Sequence, residues 1–450
     1  MGEEHAPSDL PAALEGWDPA AAMALVAASF VLGGASRENL LRLMVVELVS
    51  LPLLALALRA FAHRPRRSGP TFPLILLGLV VAVPVLQLIP LPADLWTRLP
   101  GRGAELEALS AAGLRPAWAP ASLAPDQTLN SALALAPPVA MFLGGLGLGA
   151  PAHRALAGLW LILALAGLAL GAAQLAAPAA GPVYLYATTN PGSLVGFFAN
   201  RNHEASFLLA VMPLAVALAK GARPMAAWLL GLFCLLAIVG LGVIGSRAGV
   251  LLAGPAILAC LAIAWRSGPA FVRPWGTLAA AGAACAAVAG VALLGPTPIL
   301  QRFGGHIASE FRFQAWPQVI AAADPFLPLG AGVGAFDRVF RAAEPLEMVG
   351  PTYFNHAHND YLELWLETGW IGAALLAAFL IWLARAGWSA WARGGEPGAS
   401  LRPAAAVTII LLLLHSAVDY PLRTTALATL FAFCCAVLAA PGHAPPPAAS

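Results

Sequence analysis

The densest polar run in this chain covers residues 355–370, NHAHNDYLELWLETGW. Two imidazoles, His356 and His358, stand just before a stretch that reads as a helix. A neutral imidazole can take a proton from a hydroxyl, so either one is a candidate base. If the helix begins near Asn359, then Asp360, Glu363 and Glu367 fall on one stripe at i, i+3 and i+7. Carboxylates in the first turns of a membrane helix are costly unless paired or wet. The alternative reading is that His356 and His358 cap the helix and sit in an interfacial belt with Tyr361 and Trp365.

Four further segments could carry chemistry. Residues 196–205 (GFFANRNHEA) gather Arg201, Asn202 and His203 at the start of an apolar run, a natural anion site at a helix N-terminus. The alternative there is a polar interfacial cap. Residues 245–249 (GSRAG) put Arg247 between two apolar runs with almost no loop. An arginine so near membrane depth faces a wet cavity or an anion, unless it snorkels. Residues 311–340 open with Arg312 and Trp316, stop at Asp324-Pro325, and continue through Gly330, Gly332 and Gly334, read as a flexible turn. We read this stretch as re-entrant or interfacial, positioning Arg312 over the membrane. Residues 415–423 (HSAVDYPLR) place His415 and Asp419 one turn apart and Arg423 beyond a proline. A hydrogen-bonded pair tying helices together is the favoured reading of His415 and Asp419. No metal-ligand spacing stands out, and a nucleotide loop, a serine-hydrolase elbow and a dinucleotide fingerprint are all missing from the sequence. We expect no cofactor.

These groups must be held by elements that the composition identifies. Of 450 residues, 60% are hydrophobic and only 10% charged, against about 25% charged in soluble domains. A water-soluble fold of this length could not hide that much apolar surface. The expected fold is all-α, a polytopic membrane bundle of about 12 helices. Runs of about 20 apolar residues predict spans near 19–36, 40–62, 72–91, 129–149, 154–178, 203–222, 225–244, 248–266, 275–295, 359–385, 403–419 and 421–440. The net charge of +2 gives no reason to expect nucleic acid. The five cysteines all lie inside apolar runs, so no disulfide framework is expected. The acidic N-terminus does not read as a cleaved signal peptide, and residues 441–450 read as a disordered tail. Short basic loops near 63–70, 151–154, 220–224, 266–274 and 385–402 set the orientation, with the N-terminus inside. The longer loops near 92–128, 179–202 and 296–358 then face outward, and with them all the polar segments above.

The run HNDYLELWLETGWIG resembles the hallmark of the O-antigen ligase and Wzy-type O-antigen polymerase superfamily. In order along the chain, GFFANRNHEASFLLAVMPL, GSRAGVLLA, FRFQAWPQVIAAADPFLPLGAGVGAF and HSAVDYPLRTTALA are similar to further family elements. The resemblance covers residues 190–435, so we divide the chain into 1–190, matching in hydropathy alone, and a core at 191–440. It implies a metal-independent glycosyltransferase of the bacterial inner membrane with its site facing the periplasm. The donor would be an undecaprenyl-pyrophosphate-linked oligosaccharide, and the acceptor a glycan or lipid A-core. His358 aligns with the family's histidine as the base, His356 being a second imidazole two residues away. Glu363 would orient His358 or the acceptor. Arg201, Arg247 and Arg312 would hold the pyrophosphate, whose oxygens suit guanidinium forks. Asn202, Asn359, Asp360, His415, Asp419 and Arg423 would support the site. Direct attack by the acceptor implies inversion. A flippase or transporter of lipid-linked sugar is the competing reading, but it expects internal repeats and polar groups near mid-membrane, whereas here they concentrate at one face.

Overall fold

The computed structural model describes residues 19–36, 39–62, 70–177, 181–220, 222–267, 311–350, 353–393 and 401–440. The expected span at 275–295, most of the short loops at 63–70 and 266–274, and the tail at 441–450 lie outside these residues. Within them the chain is helical: α1 (Ala20–Leu32), α2 (Leu40–Ala62), α3 (Thr71–Leu88), α4 (Ala93–Trp96), α5 (Gly103–Ala111), α6 (Pro125–Leu133), α7 (Ala136–Gly147), α8 (Ala150–Ala176), α9 (Arg201–Ala219), α10 (Pro224–Ile244), α11 (Arg247–Ser267), α12 (Phe311–Ala323), α13 (Phe336–Ala343), α14 (Asp360–Ala392), α15 (Leu401–Ser416) and α16 (Thr425–Ala439). Two three-residue strands, β1 (Pro90–Pro92) and β2 (Trp118–Pro120), pair antiparallel and close the loop after α3.

Eight helical stretches among the described residues are long and apolar enough to cross a membrane; α1, α15 and α16 are apolar but shorter. The peripheral helices show what surrounds them. On α2 and α3, Leu41 is 79% exposed and Ile75 57%, in rows that water would not tolerate but lipid covers. By contrast α9 is buried along most of its length and packs against α8, α10, α11 and α15. The remaining row of contacts runs from α15 to α14 and from α14 to α3.

The two ends of the bundle differ. At one end Arg154 donates to Leu218 O at 3.1 Å, Arg402 to Leu438 O at 2.8 Å and Arg266 to Trp391 O at 2.8 Å. Cations there meet the carbonyl-rich C-termini of α9, α16 and α14, the favoured end of each dipole. At the opposite end lie the N-termini of α9, α11 and α14 and the loops that carry the polar segments. A second, smaller core sits at that end, built from Val319 on α12, Phe336 and Phe340 on α13, Ala331, Phe354 and Leu366. Phe336 and Phe340 stack at 5.3 Å, and Phe354 meets Phe340 edge-on at 5.5 Å.

Candidate functional site

Local chemistry fixes where each functional helix starts. Asn359 is the N-cap of α14: its Oδ1 accepts from Tyr361 N at 3.0 Å and Leu362 N at 3.2 Å. Asn200 caps α9 the same way, accepting from Asn202 N at 2.9 Å. Between α10 and α11, Gly245 takes the left-handed conformation that ends α10 (φ 63°), and Ser246 Oγ accepts from Gly249 N to begin α11. Arg201 and Arg247 therefore each open a helix. Those helices touch at their starts, since a Cβ on Gly249 would come within 2.9 Å of Ala205 Cβ. Arg312 reaches across from α12 and donates to Val418 O at 3.3 Å, next to Asp419.

The carboxylate stripe of α14 forms as its spacing predicts, and Arg423 lies along it. Arg423 Nη1 and Nη2 both sit 3.1 Å from Glu367 Oε2. Nη1 is also 3.4 Å from Glu363 Oε1, and Nε is 3.4 Å from Asp360 Oδ1. Burial alone would lower the Arg423 guanidinium, but Glu363, Glu367 and Asp360 outweigh it and raise its proton affinity well above the usual value. Ser416 Oγ adds a 2.7 Å bond to Asp360 Oδ2. One cation thus ties the loop between α15 and α16 to three acids of α14.

Both candidate histidines present Nδ1 to a carboxylate, but not the one expected. Glu363 bonds to His356, not His358: Nδ1 lies 2.8 Å from Oε1, while Ala357 N donates to Oε2 at 3.0 Å. Of the two roles expected of Glu363, orienting His358 or the acceptor, the first is corrected: from the first turn of α14 the carboxyl reaches back to His356 in the preceding loop. His358 instead faces Asp419, with Nδ1 3.4 Å from Oδ1. That separation is long for a hydrogen bond, but it turns the Nδ1 edge of the ring to the carboxylate. His358 has φ 49°, the one non-glycine in the left-handed region among the described residues. The turn is enforced from both sides: Trp316 Nε1 donates to Ala357 O at 3.1 Å, and Asn359 Nδ2 to Ala417 O at 2.9 Å.

His415 and Asp419 each bond to α9, through separate partners rather than as the hydrogen-bonded pair expected. His415 Nδ1 is 2.8 Å from Ser206 Oγ, which donates to Asn202 O at 2.9 Å. Asn202 Nδ2 donates to Asp419 Oδ2, and Tyr420 N to Asp419 Oδ1 at 2.9 Å. Asp419 is fully buried. Burial alone would raise its carboxyl, but His358 facing it and the nearby His203 and His415 outweigh this and hold it well below the usual carboxylate range.

Tyr420 is one residue that sequence reasoning missed. Its ring lies 4.3 Å from His356, 4.8 Å from His358 and 4.9 Å from His203. Burial, then the Asp419 charge, push its phenol up to about 12, against hydrogen bonds from Asn355 and Asn200. Only its position between Asp419 and Pro421 hinted at a role. Gln174 was also missed: its side chain bonds Val195 N, Gly196 N and Gly196 O at 3.2, 2.9 and 2.9 Å and shapes the loop entering α9.

The glycine turn is not flexible, as the sequence suggested, but docked on α14. Ala331 N donates to Leu366 O at 2.9 Å, Gly332 N to Glu367 O at 3.0 Å and Gly334 N to Glu367 Oε1 at 2.8 Å. A Cβ on Gly330 would lie 2.4 Å from Glu367 O, so the backbones approach too closely for any side chain. α14 yields to this strap at Gly369, whose φ of 55° and ψ of −138° interrupt the helix.

Residues 232–377 match the family model for O-antigen ligase. The match supports the O-antigen ligase and polymerase superfamily that the motifs resemble, and the long apolar helices point to a multi-pass membrane protein. The matched stretch takes in Arg247, Arg312, His356, His358, Glu363 and Glu367. Arg201, His415, Asp419 and Arg423 lie outside it in sequence; Asp419 and Arg423 meet it in space, at His358 and at Glu363 and Glu367. No curated protein matches the chain.

Proposed function

We propose that the chain is a periplasm-facing glycosyltransferase of the bacterial inner membrane. It moves an oligosaccharide from undecaprenyl pyrophosphate to a sugar hydroxyl of a glycan or lipid-anchored acceptor. The observation that carries this reading is the His358–Asp419 pair, set at the end of the bundle where Arg201, Arg247 and Arg312 also gather. With Nδ1–H turned to the carboxylate, the lone pair of His358 Nε2 is free for an acceptor hydroxyl. Of the two loop imidazoles His358 is the more open, its side chain 25% exposed against 12% for His356. In the step itself, the acceptor oxygen bonds to the anomeric carbon as the bond from that carbon to pyrophosphate breaks. The hydroxyl proton passes to His358 Nε2, and the electron pair leaves with the lipid pyrophosphate. Arg201, Arg247 and Arg312 stabilise that developing charge, so the leaving group needs no strong acid. Attack opposite the leaving group inverts the anomeric carbon. His356, held by Glu363 and tilted against the ring of Tyr420, positions the loop.

Glycan transfer by His358→Ala tests the reading. A positioned base contributes roughly 10²–10⁴-fold, so we expect a loss of that size with the protein still in the membrane. Wild-type amounts of long-chain polysaccharide from His358→Ala would refute the assignment.

A further inference from the structure

α9 carries one buried acid outside the network that joins α14 to Arg423. Glu204 stands in the first turn, three residues after Arg201, and is 0% exposed. Neither carboxyl oxygen has a hydrogen-bond partner among the described residues, the Arg201 guanidinium included. The other buried acids of this end differ. Glu363, Glu367 and Asp360 meet Arg423, and Asp419 accepts from Asn202 and Tyr420.

The surroundings are shaped for the side chain and carry no charge. The carboxyl enters a slot between two glycines, Gly167 on α8 and Gly196 in the loop before α9. A Cβ on Gly167 would lie 3.2 Å from Oε1, and one on Gly196 would lie 2.7 Å from Oε2. Phe30 of α1 closes the slot beside Gly167 and packs on Trp160, Phe198 and Phe207, so aromatic rings rather than water lie behind it. His203, the neighbour on α9, turns its ring to Tyr420 instead. Among the described residues no charged side chain faces the carboxyl.

A carboxylate here would lose its hydration and gain neither a cation nor a donor in return. A helix N-terminus favours negative charge through its free N–H groups, but in this turn all four are taken. Arg201 N donates to Asn190 Oδ1 at 3.0 Å and Asn202 N to Asn200 Oδ1 at 2.9 Å. His203 N and Glu204 N donate to Asn200 O at 3.0 and 3.3 Å. A buried ion without a partner neutralises rather than persists. The neutral acid brings an O–H donor of its own. Gly167 O stands 3.0 Å from the Cβ position of Gly196, the same position that Oε2 approaches. A carbonyl oxygen accepts from an acid and repels a carboxylate.

The slot is also tied to the arginine. Gln174 of α8 binds the loop at Val195 and Gly196, and Ala199 N donates to Gly34 O, just beyond α1, at 3.1 Å. Gly196, with φ 56°, bends the chain over the slot. Glu204 presses on this bend from α9 itself, so it joins the turn that bears Arg201 to the loop and to α8.

We infer that Glu204 is a positioning residue that works as a neutral acid: lodged between Gly167 and Gly196, it locks the first turn of α9 onto α8 and fixes where Arg201 stands. The inference rests on the transferase reading and names a residue on which its pyrophosphate clamp depends.

Infrared difference spectroscopy of the purified full-length protein, wild type against Glu204→Gln near neutral pH, reads the protonation state. The C=O stretch of a protonated carboxylic acid should be present in wild type and missing from the variant. Loss of a carboxylate band instead overturns the neutral acid. Steady-state transfer from an undecaprenyl-pyrophosphate-linked oligosaccharide reads the positioning. Glu204→Gln is uncharged and of the same shape, and its donor KM should stay within about twofold of wild type. Glu204→Leu fills the slot without a donor or acceptor and should raise the donor KM roughly fivefold or more. The change should fall on KM more than on kcat, because the donor carries pyrophosphate charge before the step as well as during it. Gly167→Ala crowds Oε1 from the opposite wall and should shift the donor KM in the same direction. Thermal unfolding shows which variants are folded. An unchanged donor KM in a folded Glu204→Leu or Gly167→Ala overturns the positioning role, and so does a folded Glu204→Gln as weak for donor as Glu204→Leu. The infrared result needs no turnover, so it holds whether or not the chain proves to be a transferase. An active His358→Ala refutes the base assignment and leaves both Glu204 results in place.

Discussion

Replacing Arg423 by methionine keeps most of the stem and its apolar packing and removes the charge. In the native protein the guanidinium touches three carboxylates at 3.1–3.4 Å. The side chains of Glu363 and Glu367 are 2% and 1% exposed, and that of Asp360 12%. Arg423 keeps 23% of its side chain exposed, but the two glutamates have little contact with water that could replace the lost partner. Removing one member of a buried ion pair costs about 3–5 kcal/mol, because the other is left uncompensated. Here one deletion strands three acids, which places Arg423→Met near about 5 kcal/mol. The assay is denaturant or thermal unfolding of the purified protein in detergent, followed by tryptophan fluorescence. A second substitution sharpens it. Glu367→Gln in the Arg423→Met background removes one stranded charge and should restore about 1–3 kcal/mol, within the range of coupled neighbours. If Arg423→Met stays within about 1 kcal/mol of wild type, as an exposed pair would, the cluster is hydrated and the reasoning fails. The same variant should lose transfer, because Glu363 and Glu367 also hold His356 and the glycine strap.

Three more outcomes follow from the geometry. Asp419 has a depressed proton affinity in the fold, so its contribution is present above its unfolded value of about 3.9 and is lost as pH falls through the lower, folded one. The stability advantage of wild type over Asp419→Asn should thus vanish only below about pH 4; its disappearance between pH 7 and 5 would contradict this. Gly369→Ala would put a Cβ about 2.3 Å from Pro328 O at a φ of 55°. It should cost more than the roughly 1–3 kcal/mol of backbone strain alone, measured by unfolding, and a neutral result would show that the helix break is not fixed. Tyr420→Phe keeps the ring among three imidazoles and loses the hydroxyl bonded to Asn355 and Asn200. Stability should fall by about 1 kcal/mol while transfer persists at a reduced rate. Complete loss in a folded variant would make Tyr420 part of the chemistry.

Much of this was legible without coordinates. Apolar runs of bilayer length declare a helical membrane protein, because in lipid the backbone must satisfy itself. Caps and spacing along one helix are local properties, so the starts of α9 and α14 and the stripe Asp360, Glu363, Glu367 could be read directly. The arginines and histidines gathered at one face of the bundle could be read the same way.

Partners across helices could not. Which carboxylate meets which imidazole depends on how α14, α15 and α9 cross. Arg423 serving three acids, Tyr420 standing among three histidines and glycines docked as a strap are each contacts between segments far apart in sequence. The sequence by itself determined that the polar groups must be paired, since lipid makes a lone charge costly. Only the packing decided the pairs, because distance and orientation in the fold, not order along the chain, set the energy of each.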